Sequence, residues 1–443
     1  MFILKSKSIQ VRFLLLVTII LSALTLPGYS NWTSYAQEHK QKEGGAPDKV
    51  IAQEESEVRI NDPDLKLELV FRGLEFPSNM AFLGQNDILV LENEKGTLRR
   101  IINGTLLHEP LLAINLTQPV ERCICGIAIT KNNNPTYIFL YFTEWKIGEE
   151  PGDRLYRYEW VNNTLANPKL LLDIPATPKH AERHAGGGIV IGPDDDIYLA
   201  TGDDNGLHHT LAQNEKGYSY TSVDGTSGVI RMTKDGHPIG LNDVLGDTYP
   251  LNLYYAYGIR NSFGLDFDPV TGNLWDTENG PEYGDEINIV EPGFNSGWNK
   301  IQGFLSSNDT VSIDDLVDFG GKGEYSEPEF EWQDSVGPTA LKFLESDTLG
   351  RNYQNDIFVG DINKGRVYHF DLNEDRTELD FRGSLSDKII EEEKEDDLEN
   401  VIFAEIKGGV TDLEVGPDGY LYIVAFGQGA IYRVIPSSHN EST

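Results

Sequence analysis

The sequence predicts an all-β fold, a six-bladed β-propeller with four-stranded antiparallel blades, over residues 66–436. Three observations carry that expectation. One strand–turn–strand–turn–strand formula occurs six times, the same turn chemistry returns between first and second strands, and helical periodicity is almost absent. A β-sandwich also has many short strands, but it does not repeat one formula six times.

The first strands are centred on Met80–Phe82, Ile127–Ile129, Ile189–Ile191, Leu265–Phe267, Leu341–Phe343 and Leu413–Val415. The second strands read DILVL (87–91), YIFLYF (137–142), DIYLA (196–200), NLWDT (273–277), DIFVG (356–360) and YLYIV (420–424). The third read TLRRI (97–101), RLYRY (154–158), GVIRM (228–232), EINIV (286–290), RVYHF (366–370) and AIYRV (430–434). GPDDD at 192, DPVTGN at 268 and GPDGY at 416 are turns placed between first and second strands. In a propeller, ligands meet the chain where the innermost strands and inter-blade loops converge at the channel mouth.

Outside the repeats, Lys5, Lys7 and Arg12 precede an apolar run, Phe13–Leu26, and a small-residue stretch ending at Ala36. That order is a secretory signal peptide, residues 1–36, with an uncleaved membrane anchor as the alternative. Residues 37–65 read as a flexible polar lead-in and 437–443 as a short tail. Residues 301–337 and 383–400 read as insertions, the second carrying the acidic run EEEKEDDLEN. The mature chain is therefore expected outside the cytoplasmic membrane with no stable span. The sequons at Asn31, Asn103, Asn115, Asn162, Asn308 and Asn440 agree with an extracellular glycoprotein.

A net charge of −35 excludes nucleic acid and anionic lipid as partners. It suits a soluble extracellular protein, a salt-rich habitat or bound cations. The two cysteines, Cys123 and Cys125, read as small buried hydrophobes and not as a disulfide framework.

Chemistry concentrates in three stretches. RHAGGGIVIGPDDDIYLATGDDNG (183–206) places one histidine, His184, before three glycines at a first strand. GIRNSFGLDFDP (258–269) places Arg260 and Asn261 at the channel end of another. TENGPEYGDEINIVEPGFNSGW (277–298) clusters oxygen donors around the Gly280–Pro281 turn, where Glu282, Asp285 and Glu286 suit a hard cation such as calcium. His208 and His209 with Asp203 and Asp204 nearby suggest a transition-metal site. Glu121 and His208 are further candidates for contact with a substrate at the mouth.

Taken in order, these motifs resemble the soluble quinoprotein glucose and sorbosone dehydrogenases, a family that includes the aldose sugar dehydrogenases, from about residue 66 to 435. The resemblance implies a secreted oxidoreductase that oxidises the anomeric carbon of an aldose to a lactone with pyrroloquinoline quinone (PQQ) and calcium. It implies His184 as general base, Arg260 and Asn261 on the quinone carbonyls, and Thr339 and Asn363 as further cofactor contacts. Gly280 and Pro281 would ligate the cofactor's calcium through their carbonyls, and Glu286 a second, structural calcium. Electrons would leave to an external acceptor, and the protein would be a monomer or homodimer.

The chain departs from the family pattern in blade six, where Gly409 and Thr411 stand in place of two arginines that grip the cofactor's carboxylates. Asn363 stands where some members have lysine, and Phe263 where glutamine is usual. These departures keep a second reading open: a non-catalytic extracellular calcium-binding propeller that binds glycan or a protein partner.

Overall fold

The computed structural model describes residues 57–437, except 94, 115–123, 131–133, 145–150, 176–183, 205–209, 216–222, 241–243, 308–310 and 392–397. The signal segment, the acidic run at 392–397, Glu121, His208 and His209 lie outside the described residues. Among the described residues, no helix is long and apolar enough to cross a membrane.

The chain is all-β, a β-propeller of antiparallel sheets. Among the described residues six sheets form in chain order, and their first strands are Pro77–Gly84, Ile124–Ile129, Gly186–Ile191, Ser262–Phe267, Pro338–Phe343 and Val410–Val415. Each first strand packs beside the next, and the sixth returns to the first. The second strands are buried on both faces, which is why they read as continuous apolar runs.

Alternation divides each second strand between two neighbours. In DILVL, Leu89 and Leu91 pack with Ile138 and Leu140 of the second sheet. Ile88 and Val90 pack instead with Val424 and Ile431 of the sixth. Similarly, Ile357 and Val359 join Trp275 and Trp332 of the fourth sheet, whereas Phe358 joins Val410 and Ile423 of the sixth. One apolar layer thus fills each junction between sheets.

Most sheets keep the expected four strands, and among the described residues several carry additions. In the sixth, the outer strand Leu65–Arg72 comes from the N-terminal side and pairs with Ala430–Pro436, which fastens the two ends together. The fifth has a fifth strand, Val58–Ile60, paired with Ile402–Ile406, so this part of the expected flexible lead-in is ordered. Within the expected 301–337 insertion, Phe330–Asp334 is the fourth strand of the fourth sheet. Glu324–Tyr325 extends the third sheet through Phe294–Asn295, and Ile389–Ile390 extends the fourth, all in parallel pairing. Short segments without clear alternation left these additions unreadable. Cys125 is buried and disulfide-bonded, which corrects its reading as a free hydrophobe.

Every first strand shifts register near its start: at Pro77/Met80, Ile124/Gly126, Gly186/Ile189, Ser262/Gly264, Pro338/Ala340 and Val410/Asp412. Such bulges re-aim the backbone at a sheet end. The described candidate site residues lie at or beside this end, Glu286 in the third strand of its sheet, opposite Glu278, which itself faces Ser262.

Candidate active site at the mouth of the ring

His184 leads into Gly186–Ile191 with a left-handed backbone, φ 58°. That conformation is costly for a non-glycine residue, and surrounding contacts hold it. The Ala185 carbonyl accepts the Tyr141 hydroxyl, and the Gly186 amide donates to Asn261 Oδ1 at 3.1 Å. The glycines that follow serve packing and do not clear space for a flat ligand: a Cβ on Gly187 would lie 2.5 Å from the Cys125 carbonyl, and one on Gly188 2.8 Å from that of Phe263. They let three first strands approach closely.

The imidazole of His184 is mostly buried and held from both sides. Its Nδ1 lies 2.7 Å from Asp203 Oδ1, and its Nε2 lies 2.9 Å from Nη2 of Arg260. A guanidinium only donates, so Nε2 accepts, and the network assigns a neutral ring whose proton sits on Nδ1 facing Asp203. Asp203 is 1% exposed, and its Oδ2 accepts the indole N–H of Trp298 at 2.8 Å. Trp298 also lies under the Arg260 guanidinium, 5.4 Å from ring centroid to Cζ.

Arg260 Nη1 donates to the carbonyls of Asn279 and Gly280, each at 2.8 Å. Those carbonyls therefore converge on a positive group, the electrostatic requirement of a hard cation. The turn is rigidly made: Asp285 Oδ1 accepts the Gly280 amide, and Oδ2 accepts the Ser335 hydroxyl and the amides of Val336 and Gly337. Only glycine fits at 280, because a Cβ there would meet the Tyr283 carbonyl at 1.9 Å. Pro281 is exposed beside it.

Asn261 is buried, and its carbonyl accepts the Asn279 amide. Thr339 donates its hydroxyl to the Val410 carbonyl at 2.7 Å, a tie between the fifth and sixth sheets. Asn363 is exposed; its amide N–H donates to Val336, and its side-chain amide borders Gly337. The structure thus brings His184, Arg260, Asn261 and Gly280 together, with Thr339 and Asn363 on the neighbouring sheet. Gly409 has φ 91°, and a Cβ there would meet Ile362, so no arginine can stand at that position without moving the loop. Thr411 donates its hydroxyl to the Pro77 carbonyl.

Glu286 lies deeper, 1% exposed, within a cluster of buried carboxylates that includes Asp276 and Glu278. Its Oε1 accepts the Gly303 amide at 2.6 Å, and its Oε2 accepts Asn288 and Ser296, each at 3.3 Å. Glu278 Oε1 accepts the Arg260 backbone amide and links this cluster to the mouth. Burial pushes Asp276 up to about 7 and Glu278 up to about 8, with Asp276 adding to the latter. Glu286 is also raised, first by burial and then by Glu278. Asp276 Oδ2 and Asn288 Oδ1 are buried without a hydrogen-bond partner. Orphaned oxygens beside three carboxylates are the donor set of a hard cation.

Sequence reasoning missed Asp203, Trp298, Glu278 and Asp276 as partners of the site. Asp203 was grouped with His208 and His209 as a metal ligand, whereas its two oxygens hold His184 and Trp298. The GDD that follows the Ile197–Thr201 strand and the GW that ends NSGW were the available signals.

The sequence profile of the Glucose / Sorbosone dehydrogenase family matches residues 74–433. An uncharacterized protein of Synechocystis is 25% identical over 389 residues, covering 83% of this chain and 85% of that one. Aldose sugar dehydrogenase YliI of Escherichia coli is 26% identical, over 57% of this chain and 60% of that one. Quinoprotein glucose dehydrogenase B of Acinetobacter calcoaceticus is 31% identical, over 52% and 53%. The chain thus spans little more than half the length of these last two. Among solved structures, the PQQ-bound aldose sugar dehydrogenase of Streptomyces coelicolor shares the fold with a TM-score of 0.59 at 22% identity, over 84% of this chain and 99% of that one.

Proposed function

Because the chain belongs to the Glucose / Sorbosone dehydrogenase family, we propose that it is a sugar dehydrogenase that oxidises the anomeric carbon of aldoses to lactones with His184 as general base. Each sheet is read as one blade of a six-bladed ring whose mouth holds the reaction. The single observation that carries this reading is the Asp203–His184–Arg260 arrangement: a neutral imidazole, oriented by a buried carboxylate, with a cation on its far nitrogen.

Oxidation of an aldose to a lactone removes two electrons and two protons. Nε2 of His184 takes the anomeric hydroxyl proton, and Asp203 stabilises the imidazolium that forms. While Arg260 Nη2 occupies that lone pair the base is covered. Arg260 is anchored separately by Nη1, so a small movement of Nη2 uncovers Nε2. A cation on the Gly280 and Pro281 carbonyls would take the Gly280 carbonyl from Nη1, leave the Asn279 carbonyl as the anchor, and repel the guanidinium in favour of that movement.

The residues present fit PQQ with calcium at this edge: the Gly280 carbonyl, which already faces a positive group, for the ion, with Arg260 and Asn261 near it and the base next to Arg260. Bound there, the quinone supplies the two-electron acceptor, and the protein supplies placement and charge. Thr339 and Asn363 are the contacts read for the fifth sheet. Glu286, with Asp276 and Asn288, is the set we assign to a second calcium. Glu121 and His208 stay as candidates for contact with sugar. The segment 1–36 supports export, and an external acceptor would take the electrons.

The test is dye reduction by purified protein given calcium, PQQ and a panel of aldoses, with the product examined for lactone. Dye reduction without lactone, or no reduction with any aldose, defeats the reading. Neutral Gly409 and Thr411 favour the alternative, a calcium-binding propeller that binds glycan or a protein partner without catalysis. Under that alternative, calcium binds but PQQ does not.

A further inference from the structure

The end of the fifth sheet opposite the mouth carries a second constellation. The register sets the two ends apart: Pro338, next to Thr339, pairs with Asp361, whereas Phe343 pairs with Ile357, next to Asp356. Asp356 precedes the second strand of this sheet, Ile357–Asp361. His369 lies in its third strand, Arg366–Phe370, opposite Phe358, and Asp371 follows that strand. The ligand atoms of Asp356, His369 and Asp371 all lie within 4.8 Å of one another.

Both carboxylates face the same nitrogen. His369 Nε2 is 3.0 Å from Asp356 Oδ2 and 3.7 Å from Asp371 Oδ1. In a tetrahedral site with metal–ligand bonds of about 2.0–2.1 Å, neighbouring ligand atoms stand roughly 3.3 Å apart. The observed separations bracket that spacing. An ion can therefore enter with small side-chain shifts.

The ring is already oriented. Tyr353 meets it edge-on at 5.0 Å, and Phe358 and Phe403 pack against it. Asp356 is 14% exposed and His369 19%, whereas Asp371 is 65% exposed, so one side of the cluster opens to solvent. The surrounding charge is negative. Asp380 acts on Asp371, and Asp62 accepts the Tyr353 hydroxyl. The neighbouring Arg376 is committed to Asp268.

We propose that Asp356, His369 and Asp371 form a transition-metal site, with zinc as its ion, at the end of the fifth sheet away from the mouth. Two carboxylates and an imidazole supply three ligands, and the open side leaves a position for water. The spacing alone also admits calcium, but an imidazole ligand selects a borderline metal over a hard one. The ion would relieve the repulsion between the two carboxylates and clip together the ends of two adjacent strands.

The test uses the full mature chain stripped with chelator, resupplied with excess calcium, and titrated with zinc chloride in a calorimeter, with bound metal counted by elemental analysis. One equivalent of zinc is expected, retained in the presence of excess calcium. His369→Ala should weaken that binding by roughly tenfold or more. Asp371→Asn, at an exposed position where folding is undisturbed, should weaken it in the same direction. Absence of zinc binding by the wild type overturns the site, as does equal zinc affinity in the wild type and both folded variants. Aldose oxidation does not enter this test, so its outcome is independent of the reading of the mouth.

Discussion

The Arg260 guanidinium reaches Nε2 of His184 at 2.9 Å, so a permanent cation stands on the only lone pair with which this imidazole can accept a proton. The far nitrogen, Nδ1, is committed to Asp203. On the proposed reading the site is therefore a covered base. Its activity depends on what moves Arg260 and on what holds the ring.

Asp203 is expected to act through His184 as a positioning residue. Asp203→Asn should lower kcat by about 10²-fold or more, in the range of general-base contributions, with KM little changed. Trp298→Phe removes one hydrogen bond to Asp203 but keeps an aromatic face for Arg260, so the loss should be smaller, about tenfold. Steady-state kinetics over a range of pH check both. Equal effects on kcat and KM would show that Asp203 is merely structural.

The buried carboxylates predict an unusual pH dependence. Asp276 and Glu278 keep their protons to about pH 7 and about pH 8 when folded, but ionise near pH 4 when unfolded. Between those limits the folded state binds more protons than the unfolded state, so stability falls as pH rises. Each group contributes at most about 1.4 kcal/mol per pH unit. In chelator, Tm should drop from pH 5 to pH 8, and added calcium should raise Tm more at pH 8 than at pH 5. Asp276→Asn should flatten the chelator curve and shrink the calcium shift. Parallel curves with and without calcium would remove the cation from this cluster.

Gly280→Ala places a Cβ against the Tyr283 carbonyl and should open the turn whose carbonyls we assign to calcium. A loss of at least about 1 kcal/mol of stability is expected, together with weaker calcium binding. Thermal melts and calcium calorimetry measure the two effects separately. An unchanged calcium affinity would argue against these carbonyls as ligands.

Sequence legibility followed the physics of each element. Buried second strands such as DILVL and YLYIV announced themselves because both faces are apolar and the turns between strands recur. Two-residue additions such as Glu324–Tyr325 and Ile389–Ile390 pair through backbone alone and left no pattern. His184, Arg260 and Gly280 were readable because they sit in local motifs. Asp203 and Trp298 were not, because the hydrogen bond that joins them spans 95 positions of the chain. The need for Gly187 and Gly188 was not readable either, because the crowding that requires them comes from Cys125 and Phe263 on neighbouring sheets.

The sixth sheet offers a gain-of-function test. Gly409 cannot take a side chain, but Thr411 is half-buried with only its hydroxyl committed, to Pro77. Thr411→Arg should restore one charge-assisted contact and tighten PQQ binding by about tenfold, the scale of one charged hydrogen bond. Quinone fluorescence titration reads it directly. An unaltered affinity would mean that the quinone's carboxylates lie elsewhere.

The role proposed for His184 is that of base in sugar oxidation at this mouth. Its most direct measurement is an anaerobic mixing of aldose with the PQQ- and calcium-loaded protein, followed by the quinone absorbance, for the wild type and His184→Ala. Rapid bleaching to the reduced spectrum is expected in the wild type. In His184→Ala, slowing by at least about 10²-fold is expected at nearly unchanged quinone affinity. Equal rates in the two proteins, or a folded wild type that binds no quinone, would contradict it.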